Sequence, residues 1–275
     1  MARNQKPLTS PGATPRRPPK IWLANVGANA AHPYFSPHFP DGTFELLPIP
    51  ETPTKAGPHS VRLGDVPSFN DPTRTQGQWV PERLQETATH YDPEFDTLTY
   101  GDNVRRNARA AALKGVSQGD VLFFIVRLAD RIGGEFTGRF GFYLAGFLEV
   151  ESILIDVRSE PSRADMERYG ANAHVRRGLN DPDHHWDGFW VFGGSSRSRR
   201  FRHAVPVDRS LAERVFRRAD GGSWRWNPAR TDLQTIGSYT RSCRCVIDAS
   251  SAEGRKRASL LWSAVESLNP AVRPG

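Results

Sequence analysis

A continuous apolar run of strand length and a second, longer and largely apolar run constrain the fold of this 275-residue chain more than any other feature. Residues 120–128 read DVLFFIVRL, and residues 142–157 read FYLAGFLEVESILIDV. Neither run alternates apolar and polar side chains as a half-exposed strand does, so each is predicted to be buried on both faces, the second as one long strand or a strand pair. The glycine-rich residues 133–141 between them predict a hairpin. A central buried strand pair is therefore expected to organise the fold.

The other elements are predicted from glycine, proline and capping signals. Further strands are predicted at 21–26, 43–51, 188–196 and 199–207, and helices at 81–89, 102–114, 162–175, 209–219 and 253–268. Ser162 is the predicted N-cap of one helix, and Asp102 is the predicted N-cap of another that ends at Gly115. The elements lack strict β-α-β alternation, which predicts an α+β fold. We expect a mixed, mainly antiparallel, curved sheet, either open or barrel-like, with flanking helices.

Hydropathy and charge indicate the environment of the chain. No run approaches the roughly 18 apolar residues of a membrane span, and no secretory signal is recognisable, so a cytoplasmic protein without membrane partners is expected. Residues 1–20 hold five basic and no acidic residues, which predicts a disordered basic arm before a single domain at 21–275. Cys243 and Cys245 are interpreted as plain strand cysteines, because two thiols alone do not complete a zinc site.

An arginine-rich segment indicates a nucleic-acid partner. Residues 197–218, called here the arginine block, contain eight arginines against only Asp208 and Glu213. Arginines that lie among aromatic side chains contact phosphates and stack on bases, so DNA or nucleotides are the expected partners. Arg197, Arg200 and Arg202 are the candidate nucleic-acid contacts. A basic face that is merely solvated explains the segment equally well.

The first loop carries candidate binding and catalytic residues. Asn25, Gly27, Asn29 and Ser36 offer amides, a hydroxyl and turn backbone that suit a phosphate or a base edge. His32 and Asp41 from this loop, together with Asp102, are the candidate catalytic acids or bases, because imidazole and carboxyl groups are common proton donors and acceptors in catalysis. The alternative is a rigid loop whose polar side chains satisfy its own backbone.

Gly193, Gly194 and Ser195 form a second candidate nucleotide site, with Arg199 and His203 supplying charge. No lysine-containing Walker pattern follows the glycines, which disfavours nucleotide hydrolysis. Asp65, Asp71, Asp92 and Asp102 offer carboxylates for general-base work or a divalent ion, although the same residues are ordinary turn and cap formers. The histidines and aspartates of residues 180–188 lack a spacing that converges on one centre, so no metal site is predicted. No cofactor is identified.

The first loop also resembles a known family. Residues 36–42 read SPHFPDG and residues 47–50 read LPIP. This combination resembles the third type of nucleotide modification associated domain, which has a glycine-containing first strand, a Ser-Pro-x-x-Pro-Asp-Gly turn and a Pro-Ile-Pro strand end. The later runs GDVLFFIVRL, GFYLAGFLEV and FWVFGGSSRSRRFRHAVPV fit a domain that covers nearly the whole chain from residue 21.

The resemblance implies a biological setting. Members of this family occur in bacteria and phages, and their genomic context links them to DNA base modification. Three functions follow as hypotheses: a protein that binds or recognises modified bases or nucleotides, an enzyme that catalyses a step of nucleobase modification, and a non-catalytic scaffold for other base-modification proteins. The resemblance assigns no reaction to any residue.

Overall fold

The computed structural model describes residues 17–52, 60–157, 161–180 and 188–270. Their strands are β1 (Lys20–Asn25), β2 (Ser36–His38), β3 (Ile49–Pro50), β4 (Thr89–His90), β5 (Thr99–Asn103), β6 (Val121–Ile132), β7 (Glu135–Leu154), β8 (Phe189–Gly194), β9 (Arg199–Pro206) and β10 (Arg244–Asp248). Their α-helices are α1 (Glu82–Gln85), α2 (Arg163–Tyr169), α3 (Ala173–Asn180), α4 (Arg209–Val215), α5 (Asp232–Tyr239) and α6 (Ala252–Leu268). Short 3-10 helices lie at Leu63–Asp65, Gln76–Trp79 and Ala111–Gly115.

The hairpin of β6 and β7 is the centre of the sheet. The two strands pair antiparallel from Val121 opposite Glu149 to Ile132 opposite Glu135. The turn lies at Gly133 and Gly134, whose φ angles of +60° and +90° are open to glycine without steric cost. The first six residues of β6 are buried, as are those in the middle of β7. The predicted central strand pair is confirmed.

The sheet is mixed and open. Its strands follow the order β10-β1-β6-β7-β8-β5, with β2 also paired to β6 and β9 also paired to β7. The pairs of β6 with β1 and with β2 are parallel, and the other pairs are antiparallel. Among the described residues the outer strands β10 and β5 do not pair with each other, so no barrel closes. The predicted α+β fold with a mainly antiparallel sheet is confirmed.

Aromatic side chains fill the main core between the sheet and α6. Trp262 of α6 lies with its ring centroid 5.0 Å from those of Phe123 and Phe147. Burial of each large apolar side chain contributes roughly 1.5–3 kcal/mol, so this contact fixes α6 on the sheet. A smaller cluster, which includes Tyr169 of α2 and Val175 of α3, packs against Phe189 and Val191 of β8. This second cluster holds α3 at the side of the sheet where a cavity opens.

Local signals succeeded at most of the other elements. The single helix predicted over 162–175 is instead two helices, α2 and α3, with a break at residues 170–172. The predicted cap is confirmed, since Ser162 and Asp165 form a capping box. Helices are also found where they were predicted near 81–89, 209–219 and 253–268. The chain does not begin its contacts at residue 21, since Arg17 pairs with Asp120 at 2.6 Å. Residues 1–16 and the His- and Asp-rich residues 181–187 lie outside the described part of the chain.

The helix predicted over 102–114 is wrong. Residues 99–103 form β5 instead, where Asp102 lies opposite Trp190 of β8. The side chain of Asn103 then accepts a hydrogen bond from the Arg106 amide, which stabilises a turn. Only residues 111–115 are helical, as a 3-10 helix. Strand pairing and a side-chain-stabilised turn therefore outcompete the helix propensity of the alanines.

Candidate functional site

A polar cavity of about 490 Å³ opens beside β5. Its walls come from residues 25–29, 90–92, 100–109 and 174–177, with Ile49 and Phe189 completing the lining. These segments are distant in sequence and meet because β5 pairs with β8 while α3 packs on the outer side of β8. Of the residues predicted from the sequence, the cavity brings together Asn25, Gly27, Asn29 and Asp102.

Gly27 shapes the wall that the first loop contributes. Its φ angle is +73°, and a Cβ atom at this position would lie 2.8 Å from Leu46 Cδ1. Only glycine fits this conformation and this close approach. The turn directs the chain from Asn25 at the end of β1 to Asn29, and both amide side chains line the cavity. Asn25 Nδ2 donates to Thr240 Oγ1 at 3.4 Å, while Asn29 Oδ1 accepts from the Ala31 amide at 2.9 Å.

His90 and Arg177 line one part of the cavity, and both contact the buried carboxylate of Glu51. The short ladder of β3 and β4 pairs Ile49 with His90, which brings the neighbouring Glu51 beside the imidazole. His90 Nδ1 lies 3.1 Å from Glu51 Oε2, and Arg177 donates to the same oxygen at 2.5 Å. Burial alone would raise the pKa of Glu51, but the hydrogen bond from His90 and the charge of Arg177 lower it to about 2. Glu51 is therefore ionised, and His90 Nδ1–H donates to it.

A second histidine lies beside His90. The His174 and His90 rings meet edge to face with centroids 4.5 Å apart. His174 Nδ1 lies 3.6 Å from Asp92 Oδ2 and, within the described part of the chain, has no hydrogen-bond partner, although the atom is buried. Burial lowers the pKa of both histidines, so both are neutral at neutral pH. His90, Asp92 and His174 each offer one ligand atom within 4.8 Å of the others, the arrangement needed to hold a metal ion.

Asp92 is fixed by its own hydrogen bonds. Asn172 Nδ2 donates to Asp92 Oδ1 at 2.8 Å, and the Gly101 amide donates to the same oxygen at 3.1 Å. Burial nevertheless raises the pKa of Asp92 well above its ordinary value. A carboxylate held in this way costs free energy to keep charged, which is typical of groups with a function.

Asp102 also lines the cavity, and two other weak acids lie beside it. Tyr100 Oη donates to Asp102 Oδ2 at 3.2 Å, and Cys243 Sγ lies 3.6 Å from the same hydroxyl. Burial raises the pKa of Asp102, against the opposing hydrogen bond from the Asn103 amide. Burial and the nearby Asp102 charge raise the pKa of Cys243 to about 12. The thiol therefore stays protonated, while burial makes the protonated form of Asp102 accessible at higher pH than in an exposed aspartate.

The other candidates from the first loop lie away from this cavity and satisfy local backbone. His32 Nδ1 accepts from the Asn29 amide at 3.1 Å, and burial lowers its pKa. Ser36 is fully buried, and its hydroxyl accepts from the Leu47 amide at 3.0 Å. Asp41 is exposed, and its carboxylate accepts from both the amide and the hydroxyl of Thr43. The contacts of His32 and Asp41 stabilise turns, and that of Ser36 joins β2 to residue 47. None of the three side chains lines the polar cavity.

The second predicted nucleotide site is part of the sheet. Gly193 and Gly194 belong to β8, and the Gly194 amide donates to the Leu98 carbonyl at 2.7 Å. Ser195 Oγ donates to Glu149 Oε2 at 2.7 Å. His203 Nδ1 donates to the Leu268 carbonyl at 3.1 Å. The structure thus uses these groups to join β7, β8 and α6, and it does not gather them around a phosphate-sized space.

The arginine block is largely engaged within the protein. Arg197 pairs with Glu149, and Arg200 donates to the Phe44 carbonyl at 2.6 Å. The Arg200 side chain is only 7% exposed and lies 3.8 Å from the buried carboxylate of Glu45. Further arginines of the block bind acidic side chains or backbone carbonyls, namely Arg209, Arg214, Arg217 and Arg218. Arg199 and Arg202 are exposed.

A second cavity lies on the other side of residues 91–94. It measures about 760 Å³, and Phe69, Phe95 and Leu98 give it an apolar lining. Arg200 reaches it between two aromatic rings, with its guanidinium carbon 3.6 Å from the Phe69 centroid and 4.3 Å from the Phe44 centroid. Arg199 also lines this apolar cavity.

Sequence reasoning missed several residues of the polar cavity. His90, His174 and Arg177 of the cavity wall carried no motif, and neither did Glu51, which contacts His90 and Arg177. His174 and Arg177 share α3, where a spacing of three residues places both on one helix face. That spacing is the one local signal that pairs them, and it does not indicate what they face.

Comparison with known proteins identifies the family of the chain. Among the described residues, no helix combines the length and apolar character that crossing a membrane requires. No curated protein and no solved structure matches the chain. The family model of nucleotide modification associated domain 3 matches residues 20–235, from the first residue of β1 into α5. This span covers the segments that form the polar cavity, and the chain therefore belongs to the family of nucleotide modification associated domain 3.

Proposed function

We propose that the polar cavity binds a nucleobase or nucleotide and that the chain catalyses a step of nucleobase modification there. The observation that carries this proposal is the position of Asp102, a half-buried carboxyl group with a raised pKa, in the same cavity as the amides of Asn25 and Asn29. Buried ionisable groups in a concave, polar site are the usual signature of proton-transfer chemistry. The family's association with nucleotide modification supplies the substrate class.

The size and donors of the cavity suit this substrate. A volume of about 490 Å³ lies within the range of small-molecule sites. Side-chain amides both donate and accept hydrogen bonds, so Asn25, Asn29 and Asn107 match the mixed donor and acceptor edge of a base. Arg106 and Arg109 are exposed at the rim, where they suit the phosphate of a nucleotide.

Asp102 is the proposed acid–base residue. Its Oδ2 accepts from Tyr100 Oη, which orients the carboxyl group, and burial makes the protonated form accessible closer to neutral pH than for an exposed aspartate. Such a group donates a proton to, or removes one from, a ring nitrogen or exocyclic group of a bound base. Asn25 and Asn29 hold the base in position, and the rim arginines hold its phosphate.

The test separates binding from catalysis. Nucleosides and nucleotides of the four DNA bases are titrated calorimetrically into the purified full chain, and DNA from cells that express it is digested and analysed by nucleoside mass spectrometry. We expect Asn29→Ala to weaken binding and Asp102→Asn to abolish modification while binding remains. Arg109→Ala should remove the preference for nucleotide over nucleoside. His203→Ala, at an exposed contact outside the cavity, is the matched control for all three.

The same experiment distinguishes the other two functions. If the chain only binds or recognises bases, nucleotide binding is observed. DNA from cells that express either the parent or the Asp102→Asn variant then contains no modified nucleoside. A scaffold for other base-modification proteins shows neither binding nor any effect of the cavity substitutions. An Asp102→Asn variant that still modifies DNA as the parent does would contradict the assignment of the acid–base role.

A further inference from the structure

We propose that His90, Asp92 and His174 bind one divalent transition-metal ion in the wall of the polar cavity. The three side chains come from β4, the segment that follows it, and α3, and their ligand atoms lie within 4.8 Å of one another. Two imidazoles and one carboxylate form a ligand set that suits Zn²⁺, Fe²⁺, Mn²⁺ or Co²⁺. Mg²⁺ and Ca²⁺ are disfavoured because they prefer all-oxygen sites.

The unpartnered nitrogen of His174 is the first argument for the ion. The side chain is only 6% exposed, and no hydrogen-bond partner for its Nδ1 atom lies among the residues that the structure describes. The closest acidic oxygen, Asp92 Oδ2, lies 3.6 Å away, which is too far for a hydrogen bond. A buried polar atom without a partner is costly and rare in a folded protein, and a metal ion between the nitrogen and the carboxylate satisfies both.

The hydrogen bonds behind the ligands are the second argument. His90 Nδ1 faces Glu51 Oε2 at 3.1 Å, and Glu51 is held in turn by Arg177. A carboxylate that accepts from one ring nitrogen fixes the tautomer and leaves the other nitrogen, Nε2, with its lone pair free for a metal. This carboxylate–histidine pair is the arrangement that commonly supports metal-binding histidines.

Asp92 is oriented in the same manner. Asn172 Nδ2 and the Gly101 amide both donate to its Oδ1 atom, at 2.8 and 3.1 Å. The backbone amide of His174 donates to Asn172 Oδ1 at 2.9 Å, so one asparagine positions two of the three ligands. Metal–ligand bonds of about 2.0–2.2 Å draw such ligand atoms closer together than 4.8 Å, and small side-chain rotations accomplish this.

Three protein ligands leave coordination positions open toward the cavity. Structural zinc sites are closed by four protein ligands, whereas sites with three keep a position for water or substrate. The role of the ion in catalysis rests on the proposed function, because it requires a nucleotide in the same cavity. Metal binding itself does not, so the two proposals can fail independently.

The test measures metal binding by the full chain after removal of any affinity tag and of bound metal with a chelator. Zn²⁺, Co²⁺, Mn²⁺ and anaerobic Fe²⁺ are titrated by calorimetry, and the content is checked by elemental mass spectrometry. We expect one ion per chain for at least one of the four metals. His90→Ala and His174→Ala should abolish stoichiometric binding, and Glu51→Gln should weaken it by about 10- to 100-fold. Absence of stoichiometric binding by the parent for all four metals would overturn the proposal.

Two controls locate the ion. His184→Ala/His185→Ala, in the other His- and Asp-rich stretch of the sequence, and His203→Ala should each bind one ion as the parent does. Loss of the ion in the 184/185 pair alone would overturn the assignment. X-ray absorption of the Co²⁺-loaded parent needs no substitution and tests the ligands even if a variant fails to fold. Only nitrogen and oxygen neighbours are expected, and a sulfur neighbour would move the site to the cysteines.

Nucleotide titration into the metal-free and metal-loaded chain separates the two proposals. An ion that binds while no nucleotide does would contradict the proposed function alone. Nucleotide binding and modification by a chain that holds no ion would contradict the metal site alone.

Discussion

The arginine block and the polar cavity both concentrate ionisable side chains, and the two regions differ in how those side chains are partnered. Most arginines of the block contact acidic side chains or backbone carbonyls, as Arg197 does with Glu149 and Arg200 with Phe44 and Glu45. In the polar cavity, no described residue forms a hydrogen bond with His174 Nδ1, and Asp102 and Asp92 are carboxyl groups with raised pKa values. The charges of the block are therefore mostly neutralised within the protein, although Arg200 Nη1 is also buried without a hydrogen-bond partner among the described residues. The polar cavity differs because its titratable groups line an open space.

Asp102→Asn should have the largest effect, and it tests whether the polar cavity is a catalytic site. Removal of a general acid or base typically lowers a rate by about 10²- to 10⁴-fold. We expect the amount of modified nucleoside in the DNA of expressing cells to fall accordingly, as measured by mass spectrometry. Arg202→Ala, in the arginine block, is the control and should leave it unchanged. Equal losses in both variants would remove the distinction between the two regions.

Arg200→Ala tests whether the arginine block is structural. The substitution removes the donor to the Phe44 carbonyl and the cation 3.8 Å from Glu45. Glu45 keeps its hydrogen bonds from Ser68, Asn70 and Gln76, so the expected cost is about 1–3 kcal/mol. The free energy of unfolding, measured by urea denaturation, should fall by that amount. The exposed Arg202→Ala should change it by less than about 0.5 kcal/mol. A stable Arg200→Ala chain with reduced DNA affinity would instead assign this arginine to nucleic-acid contact.

Asp102→Asn should stabilise the fold at neutral pH even as it removes function. Burial raises the folded-state pKa of Asp102 above its unfolded value of 3.8. At pH values above the folded-state pKa, the ionised carboxylate therefore destabilises the fold. This free-energy cost falls as the pH falls and is absent below pH 3.8, where Asp102 is protonated in both states. The asparagine does not ionise, so its advantage should be present at neutral pH and vanish toward pH 3.8. Relief of such functional-site strain is typically about 0.5–2 kcal/mol. Thermal unfolding across this pH range measures it, and a difference that grows on acidification would contradict the assigned direction.

The double substitution Arg199→Ala/Arg202→Ala should have the smallest effect. It tests whether the exposed arginines of the block bind DNA. These two arginines are the members of the block that are exposed on β9. If both bind DNA phosphates, the slope of log affinity against log salt should become shallower by about 0.9 for each phosphate that the variant no longer neutralises. Gel-shift titrations at rising salt measure this slope. Abolition of all binding would show that the block is a DNA-binding face.

Features that depend on neighbouring residues were predicted from the sequence, whereas contacts between segments distant in sequence were not. The buried run of β6, the glycine turn after it and the Ser162 cap are each determined by neighbouring residues, and each was found. Asp102 was interpreted as a helix cap because the alanines that follow it favour a helix, and no local signal reveals its pairing with Trp190. His174 lies in a predicted helix, but His90 and Asp92, which lie beside it, are more than 80 positions away in the sequence.

In the candidate site, too, local features were predicted and contacts between distant segments were not. The glycine and asparagines of the first loop were identified because turn chemistry is visible in a sequence. Their partner groups were not, since the contact of Glu51 with Arg177 depends on the packing of α3 against β8. The arginine block attracted attention because charge is visible in composition, whereas its pairing with Glu149 and Glu45 is not.

The attachment of α3 has a consequence for motion. The helix carries His174 and Arg177, yet it packs through the small cluster on β8 and not through the main core around Phe123. Small cooperative units of this kind open locally at lower free energy than the global unfolding of the domain. Amide protons of α3 should therefore exchange with solvent faster than those of β6. Any ligand that bridges α3 to residues 90–92 will slow that exchange. Binding in the cavity is therefore expected to increase the hydrogen-exchange protection of the α3 amides.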